Sequence, residues 1–308
     1  LDIYRDMLHS YIIELKYAKS KDPESRVEEL RRQEVQFTSC DDLYEQAASF
    51  EDVYNGVVQR VLEAAKDGDV VYAVPGSPLV AEKNVVLLDA GDDIQGTIMT
   101  DDIYNKKPDS PHPVITAMNI MGYDAMTLGN HEFNWGVPTL RKLIAQANFP
   151  VLAANIKDAD GNFVTGAGWT IVERDGVKIA VIGVDTPDVP IWDGGKEGIE
   201  ECTYEAANTA VKEAIKAIGK QADIIVVSAH MGLYAEFDEE HGSDSAQKIL
   251  DDNPEVDVLQ VAHLHTVVKQ KQGNVVIGGV RSSGRDIARF DLTLDANKKI
   301  IASSVDVV

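Results

Sequence analysis

Residues 84–308 are predicted to form an α/β fold, and three observations predict it. Apolar, strand-like runs alternate with helical stretches, the connections between them are short, and polar side chains suited to binding gather just after the apolar runs. A mostly helical N-terminal segment, residues 1–83, precedes this domain.

In order along the chain, residues 3–17 and 23–35 read as helices rich in Glu, Arg and Lys. Ser49-Phe50-Glu51-Asp52 resembles a capping box, with Asp in place of Glu, opening a helix to Lys66. Val53, Val57, Val58, Val61 and Leu62 supply its apolar face. Residues 69–74 form a short strand pattern, stopped by Pro75-Gly76-Ser77-Pro78. The alternation then begins. Strands are predicted at 85–89, 125–128 and 151–154, with helices at 112–121 and 138–147 between them. Residues 169–173 and 177–184 flank Asp175-Gly176, a hairpin signal. A long helix with Ala and Val on one face covers 204–220. Strands follow at 224–228, 256–261, 275–278, 287–294 and 300–305.

The chain has 308 residues, ample for a sizeable core. With 51 acidic and 29 basic residues, its net charge is −22, which argues against binding nucleic acid or an anionic membrane surface. It does not argue against a small phosphate ester, because bound cations reverse the local sign. Cys40 and Cys202 stand far apart at no metal-like spacing and neither require nor exclude one disulfide. No apolar run is long enough to span a membrane. Charges at Asp2, Arg5, Asp6 and Glu14 interrupt any signal-peptide core, and neither compartment nor oligomeric state is set by the sequence.

Four segments each follow an apolar strand, where ligand sites of α/β domains gather. The first is GDDIQG at 91–96, with Asp92. An Asp there also suits helix capping. The second is GNHEFNWG at 129–136, which presents the Asn130 amide, the His131 imidazole, a carboxylate and Asn134 together. The third is SAHMG at 228–232, with His230. The fourth is AHLHT at 262–266, whose His263 and His265 can reach one metal or two adjacent ones. Of the seven histidines, His9, His112 and His241 receive no role. Asp, Asn and several His converging on one cleft suit divalent cations such as Mn, Zn, Fe or Mg.

Taken in this order, the four motifs resemble those of the calcineurin-like metallophosphoesterases, and most of all the branch of 5′-nucleotidases and 2′,3′-cyclic-nucleotide 2′-phosphodiesterases. The resemblance covers residues 84–308 and implies a layered α-β-β-α sandwich, a nucleotide or other small phosphate ester as substrate, and two divalent metals clamping a phosphoryl group for in-line attack. It also implies roles for single residues. Asp92 bridges the metals; Asn130, His230 and His263 complete the second metal; His265 serves the first. His131 stabilises the transition state or protonates the leaving oxygen, with Asn130 beside it at the phosphate. Asn134 stands where many members place an Asp that orients this His. Members of the family are often exported.

One departure bears on activity. The family opens with a strand ending in Asp-x-His that ligates the first metal, and no Asp-x-His occurs in this chain. The expectation is therefore a hydrolase with one complete metal site, against the alternative of a single-metal pseudoenzyme or binding module. Residues 36–83, with Val71-Tyr72-Ala73-Val74-Pro75-Gly76-Ser77-Pro78, resemble part of a tetrapyrrole-methylase-like domain, where that turn lies near the S-adenosylmethionine pocket. The remaining strands of such a domain are missing, so methyl transfer is not expected.

Overall fold

The computed structural model describes residues 84–98, 100–101, 110–236 and 245–308, and the backbone of residues 10–17. The chain divides into two compact units, Leu1–Ala18 with Glu82–Val308, and Lys19–Ala81. The second unit lies outside the described residues. With it go the helices predicted at 23–35 and 49–66, the strand at 69–74, the methylase-like stretch and Cys40. His9 and His241 are likewise outside.

Two six-stranded sheets build the first unit. One has the order β14-β13-β1-β2-β3-β4, from β1 Ser10–Tyr17, β2 Val85–Asp89, β3 Ala125–Thr127, β4 Val151–Leu152, β13 Ala288–Leu294 and β14 Ile300–Val307. The other has the order β11-β12-β10-β9-β7-β6, from β6 Trp169–Arg174, β7 Val177–Asp185, β9 Ile224–His230, β10 Val258–Val261, β11 Val268–Gln272 and β12 Val275–Gly279. Two short strands, β5 Ile156–Lys157 and β8 Thr203–Tyr204, pair with each other.

The central strands of the second sheet run parallel and are apolar on both faces, as buried parallel strands must be. Along β7, Val177, Ile179 and Val181 enter the core that also holds Val86 and Leu88 of the first sheet and Phe290 of β13. The alternate residues Ala180, Ile182 and Val184 face outward, toward α4 Ala207–Ile218 and α5 Ala246–Asp252. α4 meets them with Ala207, Ala210, Val211, Ala214 and Ile218, an i, i+3, i+4 stripe. In the first sheet, α1 Pro113–Met121 connects β2 to β3 and α2 Val137–Ile144 connects β3 to β4, all three strands being parallel. The result is the layered arrangement of helices and two sheets that the sequence predicts. Arg174 ties the sheets, donating to Val85 O at 2.8 Å and pairing with Asp124.

One prediction is corrected. Residues 10–17, read as part of a helix, form β1. Charged side chains between Ser10 and Tyr17 suggest a helix, but ladder partners on both sides decide the conformation. β1 runs parallel to β13 and antiparallel to β2, with Ser10 opposite Asp89 and Glu14 opposite Val85. Its C-terminal end therefore points away from the end at which β2 and β3 finish.

Five elements were not foreseen: β5, β8, β11, α5 and the short helix α3 Val189–Asp193. β11 (VKQKQ) is an exposed edge strand guarded by lysines, and its polarity hides it. No helix among the described residues is long and apolar enough to cross a membrane. Cys202 carries a free thiol.

Candidate functional site

The site is built where β2, β3, β9 and β10 end. Past β2 the chain turns sharply through Gly91 at φ 91° and Asp92 at φ 70°. A side chain at Gly91 would collide with the next loop, its Cβ falling 2.7 Å from Leu128 C and 2.8 Å from Thr127 O. Past β3 comes a tight 3₁₀ turn, Asn130–Phe133. Glu132 on this turn knots the two loops together. Its carboxylate accepts from Gly129 N and Asp92 N at 2.7 Å each, from Asp93 N at 2.7 Å, and from Ile94 N at 3.1 Å. Burial, and then the charge of Asp92, push this carboxyl up to about 7.

Asp92 is the centre of the arrangement. Its Oδ1 accepts from His131 N at 2.9 Å, and its Oδ2 lies 2.9 Å from His230 Nε2. His230 is fully buried at the end of β9, and its Nδ1 donates to Ala90 O at 2.5 Å, which leaves Nε2 as the nitrogen facing the site. Burial works against charge on both groups. Their mutual attraction wins: Asp92 is held well below the usual carboxylate range, and the His230 imidazole is pushed up to about 10.

His263 reaches in after β10, its ring 5.3 Å from that of His230 and 5.4 Å from that of Trp192 on α3. Its Nε2 lies 2.7 Å from Glu236 Oε2. Burial, and then the His230 charge, lower its pKa. Three of the six non-glycine residues with positive φ among the described residues are Asp92, His263 and His265 (70°, 65° and 53°). Such strain collects where geometry is set by binding rather than by chain preference.

These side chains fit a divalent cation. One ligand atom each from Asp92, His230 and His263 lies within 4.8 Å of the others. Asn130, buried at 4% exposure, has an Oδ1 with no hydrogen-bond partner among the described residues, as a carbonyl oxygen reserved for a cation would. A carboxylate, two imidazoles and an amide oxygen suit Mn, Zn or Fe. His265 lies outside this cluster. It is exposed, and burial of part of its ring, opposed by the charge of Asp92, lowers its pKa.

Beside the cluster, His131 is exposed and its Nδ1 sits 2.9 Å from Asn134 Oδ1. Asn134 Nδ2 in turn donates to both oxygens of Asp193, at 3.0 and 2.8 Å. Sequence reasoning missed Asp193, which is 59 residues away in a stretch without a motif. It noted Glu132 only as one polar group of its run; the apolar Phe133 beside it was the signal that this acid is buried. His112 is structural: it caps α1 and its Nε2 lies 2.9 Å from Ile94 O.

This constellation can be compared with known proteins. The family model for the calcineurin-like phosphoesterases matches residues 42–267, more than half of the chain. The chain belongs to the calcineurin-like phosphoesterases. The match begins inside the stretch that resembles a methylase fragment. A 2′,3′-cyclic-nucleotide 2′-phosphodiesterase/3′-nucleotidase of Salmonella typhimurium is 35% identical over 201 residues, which are 61% of this chain and 31% of that protein. Protein UshA of Escherichia coli is 34% identical over 169 residues, 54% of this chain and 29% of UshA. The chain thus spans about a third of the length of the curated relatives it matches. Among solved structures, the calcineurin-like phosphoesterase YfkN of Bacillus subtilis superposes with a TM-score of 0.66 at 21% identity, over 98% of this chain and 90% of that one. A 5′-nucleotidase precursor of Thermus thermophilus gives 0.57 at 23%, over 72% and 44%. Calcineurin-like phosphoesterases use divalent metals, and Asp92, His230 and His263 form a group in this chain that could hold one.

Proposed function

We propose that this calcineurin-like phosphoesterase hydrolyses nucleotide phosphate esters, as a 5′-nucleotidase or as a 2′,3′-cyclic-nucleotide 2′-phosphodiesterase/3′-nucleotidase. The supporting observation is the convergence of Asp92, His230 and His263 beside an exposed His131. The names of the relatives supply the nucleotide.

Asp92, Asn130, His230 and His263 would hold a divalent cation, which supplies positive charge to a phosphoryl oxygen and acidifies the attacking water. The chain's own residues do the rest. Glu132 fixes the Asp92 and Asn130 loops against each other, which holds these two ligands in place. Asn130 and His131 face the phosphate. His131 gives a proton to the leaving oxygen from Nε2, its Nδ1 being occupied by Asn134.

The test pairs metal content per chain with hydrolysis of mono-aryl and bis-aryl phosphates in added Mn²⁺. Turnover that disappears in His131→Ala and Asp92→Ala supports the reading, and turnover unchanged in both overturns it.

A second reading, a single-cation binding module, is favoured by the direction of β1. This strand, lying beside β2, runs antiparallel to it, so its C-terminal end is remote from Asp92 and brings no ligand to the site. One tight ion per chain without turnover supports this reading; two ions with turnover dismiss it.

A further inference from the structure

We propose that Asp193 is a positioning residue that sets the tautomer of His131 through Asn134. The proposal rests on the reading that His131 serves the leaving oxygen.

An asparagine amide beside an imidazole has two orientations, and nothing in Asn134 itself selects one. Asp193 does. Asp193 is 4% exposed, and both hydrogen bonds that its carboxylate accepts among the described residues come from Asn134 Nδ2. The amide oxygen is thereby turned to His131 Nδ1, at 2.9 Å. An amide oxygen cannot donate, so Nδ1 must carry the hydrogen. Nε2 is then the nitrogen that gains and loses a proton toward the substrate. With the amide flipped, its NH₂ would face Nδ1 and force the hydrogen onto Nε2, leaving a neutral ring unable to accept a proton there. A flip would also cost the buried carboxylate the two bonds it takes, among the described residues, from this one amide, which disfavours the flip. A carboxylate next to His131 would fix the same tautomer directly; here the anion stands one link further out.

α3 delivers Asp193. The helix is five residues long, Pro190 lies in its first turn, and Trp192 places its ring against that of His263 while the next residue holds Asn134. One short element therefore braces both the cation cluster and the proton donor.

The experiment compares wild type, Asp193→Asn and the exchange pair Asn134→Asp with Asp193→Asn, all as full chains. Nitrogen NMR of the imidazoles in metal-free protein reads the tautomer without any turnover. Wild type is expected to show His131 protonated at Nδ1, and Asp193→Asn a mixture. In kinetics, Asp193→Asn should lower kcat about tenfold or more for an alkyl phosphate, whose leaving oxygen needs a proton, with KM little changed. An aryl phosphate with a good leaving group should lose much less. In the exchange pair the new amide at 193 donates to the new carboxylate at 134, and alkyl turnover should return to within about threefold of wild type. A residue that merely supports the fold would not be rescued in this way. An unchanged tautomer in Asp193→Asn, or an exchange pair no better than the single variant, overturns the proposal. If wild type hydrolyses neither ester, the reading of His131 fails, and the tautomer still decides the role of Asp193. Should Asp193→Asn not fold, Asp193→Ser carries the NMR and single-variant comparisons.

Discussion

Cation binding at Asp92, His230 and His263 should expel a proton, and the structure says from where. His230 Nδ1 is committed to Ala90 O, so the nitrogen available to a cation is Nε2, which faces Asp92 at 2.9 Å. With its pKa pushed up to about 10, this imidazole is protonated at neutral pH in the metal-free protein. His263, whose pKa is lowered from 6.5, is already neutral. Between about pH 7 and 8.5 one proton must therefore leave for each cation bound, and affinity should rise about tenfold per pH unit, or about 1.4 kcal/mol. Over that interval the gain is about 30-fold, or about 2 kcal/mol. Calorimetric titration with Mn²⁺ in two buffers of different ionisation enthalpy gives both the affinity and the number of protons released. His230→Asn, which keeps a neutral ligand, should flatten the slope. A wild-type affinity that does not change with pH, or release of fewer than about 0.3 protons per ion, would refute the argument. The sign for stability follows from the same shift. Because the folded pKa of His230 is raised, its pairing with Asp92 stabilises the metal-free fold fully below about pH 6.5, and that contribution is lost as pH rises through about 10.

Two further outcomes follow from the loops. Glu132→Gln replaces one acceptor oxygen with an NH₂ and leaves two of four buried N–H groups unsatisfied, so denaturant unfolding should show a loss of roughly 2–4 kcal/mol; a loss below about 1 would mean that the knot is slack. Gly129→Ala brings a methyl against the Asp92 carboxylate and to 2.7 Å from His230 Cε1, so cation affinity should fall at least about tenfold, while a folded chain with unchanged affinity would show that the loop can yield.

Much of this was legible in the sequence for a simple reason. The central strands are buried on both faces, so stretches such as Ile224–His230 are apolar nearly throughout and end abruptly in a functional side chain. Asp92, Asn130, His230 and His263 could be found because each closely follows such a run. β1 could not be read, since its conformation is decided by β13 and β2, the first of which lies more than 270 residues downstream. Asp193 was invisible for a related reason: its role exists only once Asn134 is folded against it. His265, which the resemblance assigns to the first metal, is exposed and lies outside the group of Asp92, His230 and His263 that the resemblance assigns to the second.

The position of β1 also governs how the domain can be made. Among the described residues, β13 and β2 share no ladder, and β1 is the strand that joins them into one sheet. During synthesis β2 emerges early, whereas β13 follows some 200 residues later. At about 5–20 residues per second, β1 presents one open edge for roughly 10–40 seconds before its second neighbour exists. Pairing with another nascent chain competes with folding during that interval. Yield of soluble protein should therefore depend on elongation rate and on chaperones that shield strand edges, more than on the stability of the finished fold.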